Sequence, residues 1–274
     1  MAEQQDAVSD PYPPVDIARK VEGLGVTKAH TDTLTLLVLA VLAGAFISLG
    51  ALFYSVVVTD SGLGFGITRL LGGLSFCLGL ILVVIAGAEL FTGNNLIAMA
   101  WASGLIGTRE VIRNWIIVYL GNVVGCLGTV LLVFWSNVAQ LGDSAVGQTL
   151  VNIAHTKVAL SLSEAFTRGV LCNVLVCLAI WLAIGARSVS GKILAILFPI
   201  TAFVAIGFEH SIANWFFLPL GAVLDVQNGV SLLPMVKNII AVTAGNMVGG
   251  TLLVAGIYWL AYLRAERMRM PPPK

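Results

Sequence analysis

Two long apolar stretches of this chain are broken by the same polar motif. Gly87-Ala88-Glu89-Leu90-Phe91-Thr92-Gly93-Asn94 interrupts one in the first half, and Gly207-Phe208-Glu209-His210-Ser211-Ile212-Ala213-Asn214 interrupts another in the second. Both read Gly, any residue, Glu, four residues, Asn. A hydrocarbon layer has no water to satisfy freed backbone or a carboxylate at mid-depth. Such groups persist there only when buried in protein or lining a cavity. Paired interruptions at matching places in two halves point to a site on a path through the membrane.

The composition around the motifs requires a membrane. Of 274 residues, 58% are hydrophobic and 11% charged, where a soluble domain carries about 25% charged residues. The chain therefore reads as an all-α integral membrane protein. A net charge of +1 without a clustered basic surface argues against nucleic-acid binding. Cys77, Cys126, Cys172 and Cys177 lie inside apolar runs with no CxxC or zinc-like spacing, and read as small buried hydrophobes. No metal and no cofactor are expected. The first thirty residues are polar and contain Pro11, Pro13 and Pro14, so no cleavable signal is expected and the first apolar segment serves as its own insertion signal.

The chain divides into a tail with an amphipathic helix (1–33), a six-span domain (34–264) and a basic C-terminal tail (265–274). Residues 1–13 read as disordered. Within 14–26, Pro14 can open a helix and Ile17, Val21 and Leu24 recur at helical spacing, giving a short helix at the membrane surface, stopped by Gly23 or Gly25. The expected spans are Leu34–Val58, Leu70–Ala88, Trp115–Trp135, Val170–Ile184, Ile193–Phe208 and Ile239–Leu260. The motifs break the second and fifth, which resume as half-helices over Leu96–Trp101 and Ile212–Leu220. Residues 136–165 read as the longest connection.

Six spans put both termini on one side. Placing that side in the cytoplasm puts eleven basic residues inside and four, Arg69, Lys157, Arg168 and Lys237, outside or at the outer boundary, the orientation favoured by the positive-inside rule. The repeat extends beyond the breaks. Arg113-Asn114 and Lys237-Asn238 each precede Gly-Asn-x-Val-Gly, at Gly121–Gly125 and Gly245–Gly249. These segments are offset by 124 residues and the break motifs by 120. Each repeat holds three spans, an odd number, so the halves are inverted across the membrane.

Several side chains at the breaks carry chemistry. His210 is the one histidine inside an apolar stretch; a neutral imidazole donates one hydrogen bond and accepts another, and a protonated one attracts an anion or hands on a proton. The bland alternative is a core histidine bonded to backbone freed by the break. The Thr92 hydroxyl can reach an imidazole across a pore, making a Thr92–His210 pair from the two halves. Glu89 and Glu209 can carry protons or cations, or accept hydrogen bonds from freed backbone N–H groups. Asn94 and Asn214 read as loop locks. Asn122 and Asn246 are interhelical glue or pore polar groups. Phe76, Leu80, Leu90, Phe91 and Phe203 flank the breaks and are packing residues or apolar constrictions. Lys157 and Asn173 read as outer-end groups that can draw in an anion.

Four segments together resemble the formate–nitrite transporter family: Ala88–Asn94, Leu171–Ala179, Phe208–Asn214 and Gly245–Gly250. The likeness runs from the amphipathic helix to the sixth span and is most like the formate channel branch, particularly at residues 73–80. It implies an aquaporin-like protomer in a homopentamer of the cell inner membrane, with one pore per protomer and no enzymatic activity. The family's central histidine and its threonine partner fall on His210 and Thr92, its constrictions on Phe76, Leu80, Leu90, Phe91 and Phe203, and its vestibule pair on Lys157 and Asn173. The substrates implied are formate, nitrite, hydrosulfide or lactate. For formate, the residues are compatible with bidirectional, pH-dependent passage: the anion pays a large desolvation cost in an apolar constriction, Lys157 favours its entry, and proton transfer from His210, or from water relayed through it, lets the neutral acid cross the apolar rings. A haem anchor is the rival class, but bis-histidine ligation needs two histidines within spans.

Overall fold

In the computed structural model, residues 10–225 and 229–267 are described. The readings of residues 1–9 and of the basic tail beyond 267 lie outside them. Helix α1 spans Pro14–His30, with a proline at its first turn. It runs through Gly23 and Gly25 instead of stopping there. Gly25 is a contact point: a Cβ at this position would lie 3.0 Å from the Ala100 Cβ and 3.4 Å from the Ile97 Cα. Ile17, Ala18, Val21 and Ala29 are buried, so most of the apolar face of α1 is covered by protein, while Leu24 stays exposed at its edge.

Helix α2 spans Thr33–Val58. Asp32 caps it, and hydrogen bonds from the Thr35 hydroxyl and backbone N–H hold the Asp32 carboxyl below its usual range. Helix α3 (Phe65–Ile81) continues as a π-helical turn, Leu82–Gly87, into the first break. The chain resumes as α4, a half-helix over 91–102 with a 3₁₀ turn at Asn95–Ile97. Helix α5 is Thr108–Trp135 and α6 is Ala145–Val158. Helix α7 is Leu162–Gly185, α8 is Val189–Ile206, and after the second break α9 is Ser211–Leu224. Helix α10, Leu232–Val248, runs on through π-helical segments Gly249–Gly256 and Trp259–Leu263.

Among the described residues, six helices are long and apolar enough to cross a membrane. The sixth, Leu232–Glu266, is 35 residues, or about 50 Å at 1.5 Å per residue, so it extends beyond a hydrocarbon layer of about 30 Å. The connection expected over 136–165 contains α6. Its apolar period is short and masked by Gln148, Asn152 and His155, yet Val146, Leu150 and Ala154 are buried.

The glycines of the duplicated segment explain how each half packs internally. A Cβ on Gly125 would lie 2.0 Å from the Val41 carbonyl oxygen, and one on Gly249 would lie 2.2 Å from the Val170 carbonyl oxygen. Helix α5 thus presses on α2 through the same surface by which α10 presses on α7, the small-residue approach that membrane helices use in place of a hydrophobic drive. Each half has the same plan, inverted with respect to the other: a short helix (α1, α6), a span (α2, α7), a broken span (α3–α4, α8–α9) and a last span (α5, α10).

Gly125→Ala should therefore cost about 1–3 kcal/mol through overpacking, read as a lower thermal midpoint of the purified protein. Gly128→Ala, three residues on, meets nothing within 4 Å and should melt with the parent. Equal midpoints for the two variants would contradict the close α2–α5 approach.

Candidate functional site

The breaks turn on two left-handed glycines, Gly87 at φ 83° and Gly207 at φ 87°, a region that other residues rarely adopt. Beyond each glycine the backbone is extended, and two amides satisfy it. Asn122 Oδ1 accepts the Phe91 N–H at 2.9 Å, while its Nδ2 donates to Ala40 O at 2.7 Å and Glu89 O at 2.9 Å. Asn246 Oδ1 accepts the Ser211 N–H at 2.9 Å, and its Nδ2 donates to Gly169 O at 2.8 Å and Glu209 O at 3.0 Å. The Glu89 and Glu209 N–H groups donate to Leu39 O and Arg168 O. Asn122 and Asn246 are thus backbone clamps, fully buried.

The carboxylates have other partners than the backbone N–H groups expected for them. Lys28 Nζ lies 2.7 Å from both Glu89 oxygens. Asn94 Nδ2 donates to Glu89 at 2.7 Å and to Asn114 Oδ1 at 3.0 Å, and Asn114 returns to the Lys28 carbonyl at 3.1 Å. The second half repeats the ring: Lys157 to Glu209 at 2.9 and 3.0 Å, Asn214 to Glu209 at 2.7 Å and to Asn238 at 2.8 Å, Asn238 to the Lys157 carbonyl at 2.8 Å. Sequence reasoning assigned Lys28, Asn114 and Asn238 no role here. The signal was present: Thr27-Lys28 and Thr156-Lys157 recur 129 residues apart, each in the last turns of the helix preceding a first span.

His210 is the N-cap of α9. Its Nδ1 accepts the Ala213 N–H at 3.2 Å, so that nitrogen holds a lone pair. In the neutral ring this assigns the proton to Nε2, which faces Thr92 Oγ1 at 3.0 Å. The structure brings this pair together from the two halves, His210 at 3% and Thr92 at 0% exposure. Phe203 stacks on the imidazole at 6.0 Å and 23°, and Phe76 meets Phe203 edge-on at 5.6 Å.

A vestibule of about 450 Å³ ends on this group, lined by Arg69, Lys157, Arg168, Glu209, Phe203 and His210 among others. Behind it lies a cavity of about 10 Å³ bounded by Phe76, Leu80, Leu90, Phe203, His210 and aliphatic neighbours, room for about one water-sized sphere. Arg69 was not expected at the site. Its guanidinium donates to the Val204 and Ala205 carbonyls at 2.8 Å each, where α8 ends.

Two expected placements differ. Asn173 is not in the vestibule: it is fully buried, and its amide donates to Thr92 O at 3.2 Å and Asn246 O at 2.7 Å. It lies midway along α7, one turn inside the surface that Gly169 presents to α10, which puts it behind the central pair. Phe91 does not line the small cavity. Its ring meets Tyr119 edge-on at 4.9 Å and borders an apolar pocket of about 420 Å³ between α5 and α10.

Comparison with known proteins gives consistent matches. A family model described as formate/nitrite transporter matches residues 15–260. The chain is 40% identical over 269 residues to the formate channel FocA of Escherichia coli strain K12, covering 92% of this chain and 94% of that protein. A solved pentameric formate channel with formate bound is 37% identical with a TM-score of 0.79, covering 85% of this chain and 98% of that one. A solved FNT family ion channel is 30% identical with a TM-score of 0.83, covering 90% and 98%.

Replacing Asn246 by Ala strips partners from the Ser211 N–H and the Gly169 and Glu209 carbonyls, at about 1–3 kcal/mol for each buried group left unpaired. Asn246→Ala should therefore melt far below the parent and be recovered in low yield, whereas Gln148→Ala, at an exposed position of α6, should not. An Asn246→Ala protein that melts with the parent would show that the clamp is dispensable.

Proposed function

Because the chain belongs to the formate/nitrite transporter family, we propose that it is a bidirectional, pH-dependent membrane channel for formate, working as a homopentamer with one pore per protomer. The single observation that carries this reading is the Thr92–His210 pair at 3.0 Å, set between a basic vestibule and an apolar stop. The names of its relatives support formate in particular.

The physical sequence follows from the residues. An anion enters a vestibule that holds Arg69, Lys157 and Arg168. Lys157 is paired with Glu209, so the pair acts as an oriented dipole and the two arginines supply the net charge. The Phe76–Phe203 gate then strips water, which costs a carboxylate far more than a neutral acid. At the centre, the Nε2 proton can turn from Thr92 to a formate oxygen. A neutral imidazole cannot give up that proton without a replacement, since an imidazolate would result. Net transfer to formate therefore requires a second proton at Nδ1, and that proton would face the Ala213 N–H. Protonation of His210 thus breaks the cap of α9, and the bound anion compensates the buried charge. The neutral acid then crosses Leu80 and Leu90 and is released on the Lys28 side; export reverses the steps. The N- and C-termini lie in the cytoplasm and the pentamer in the inner membrane.

Formate uptake into proteoliposomes should rise as external pH falls, and nitrite or hydrosulfide should compete less well. His210→Phe should abolish the proton dependence, and His210→Asn, which keeps hydrogen bonding without titration, should flatten it. If His210→Asn keeps the parent rate and pH profile, the imidazole is only a hydrogen-bonding post.

The orientation is tested by cysteine labelling, since Cys77, Cys126, Cys172 and Cys177 are buried. A membrane-impermeant maleimide outside intact cells should label Asp143→Cys and leave Asp10→Cys unlabelled. The opposite pattern overturns the assignment of sides.

A further inference from the structure

Helix α8 ends at the His210 vestibule and begins at a second cavity, of about 660 Å³, between α1 and the α7–α8 connection. Tyr12, Lys20, Leu24, Ile184, Arg187 and Lys192 help line it. The Tyr12 N–H donates to Gly185 O at 3.0 Å, which pins the aromatic ring to the end of α7. Lys20 Nζ lies 4.0 Å and Arg187 Cζ 4.3 Å from the centre of that ring, each a cation–π distance. Lys20 comes from α1 and Lys192 from the first turn of α8. No Asp or Glu is among the described residues that line the cavity. Holding ammonium groups from two elements around one space has a coulombic cost that an anion removes.

The surroundings indicate which anion. Leu24 is 44% exposed on the rim, and Val189 and Leu194 at the start of α8 are 60% and 59% exposed. The cavity therefore lies where an apolar span leaves the hydrocarbon, at headgroup depth, where basic pockets take lipid phosphates. Its volume suits a headgroup better than a bare ion. We propose that this cavity binds a phosphate group, as carried by an anionic phospholipid, with Lys20 and Lys192 donating to the phosphate oxygens and Leu24 and the start of α8 against the lipid's apolar part. Bound there, the phosphate bridges α1 to α8 and fastens the helix that carries Lys28.

The test titrates the purified full chain in detergent with phosphatidylglycerol, phosphatidylcholine or inorganic phosphate, reading thermal midpoint and, by native mass spectrometry, retained ligand. Phosphatidylglycerol should raise the midpoint and phosphatidylcholine should not. At about 1 kcal/mol per lysine, the Lys20→Gln/Lys192→Gln variant should need at least about tenfold more phosphatidylglycerol, with formate flux unchanged. A matching response to inorganic phosphate supports the same chemistry and identifies a free anion as the source. The proposal is overturned if phosphatidylglycerol does no more than phosphatidylcholine, or if the double variant responds as the parent does.

Discussion

The structure depends on one kind of interaction, a carboxamide that replaces water at a broken helix. Where α3 and α8 end, extended backbone lies in a medium that cannot hydrate it. Asn122 and Asn246 each accept one N–H and donate to two carbonyls, which uses three of the four hydrogen-bonding positions an amide offers. The carbonyls come from the neighbouring span and from the break itself, so each asparagine ties a break to the helix that flanks it. The glycine contacts belong to the same device. Gly121 and Gly125, or Gly245 and Gly249, bring α5 or α10 close enough for the amide to reach.

The second layer is ionic. Each half holds a glutamate, Glu209 buried and Glu89 partly so, and answers it with a lysine from the short helix that begins that half. A carboxylate stripped of its partner in such a place would be costly. The N-terminal helix is therefore tied to the first break as α6 is tied to the second. Both lysine carbonyls are also bonded by the ring's own asparagine, so side chain and backbone are fixed together.

Much of this was legible in the sequence. The six spans, the breaks and their inversion follow from hydropathy, the duplicated motif and an odd span count. The Thr92–His210 contact follows from the two halves having to meet. What was hidden has physical causes. Helix α6 was masked because only three positions, Val146, Leu150 and Ala154, carry its buried face. Lys28 looked like a solvated tail residue because its partner, Glu89, is 61 positions away. Of the two glycines that seemed to end α1, Gly25 instead lets Ala100 and Ile97 approach, and Gly23 faces open space. Asn173 was expected at the outer end, but its amide is held inside by the Thr92 and Asn246 carbonyls. Phe91 flanks a break in sequence, yet at the start of α4 its ring meets Tyr119 of α5 edge-on.

The two halves match in scaffold and differ at the centre. By the offset of the break motifs, the counterpart of His210 is Leu90 and the counterpart of Thr92 is Ile212. A twofold axis relating identical halves would set the same contact on both sides, giving either two imidazole–hydroxyl pairs or none. The single pair seen here requires two copies that can mutate separately, as these do within one polypeptide. In evolutionary terms, an antiparallel dimer made from one short gene could supply the clamps and the lysine–glutamate rings, but only after duplication could one copy specialise in the imidazole while the other became its apolar and hydroxyl counterpart.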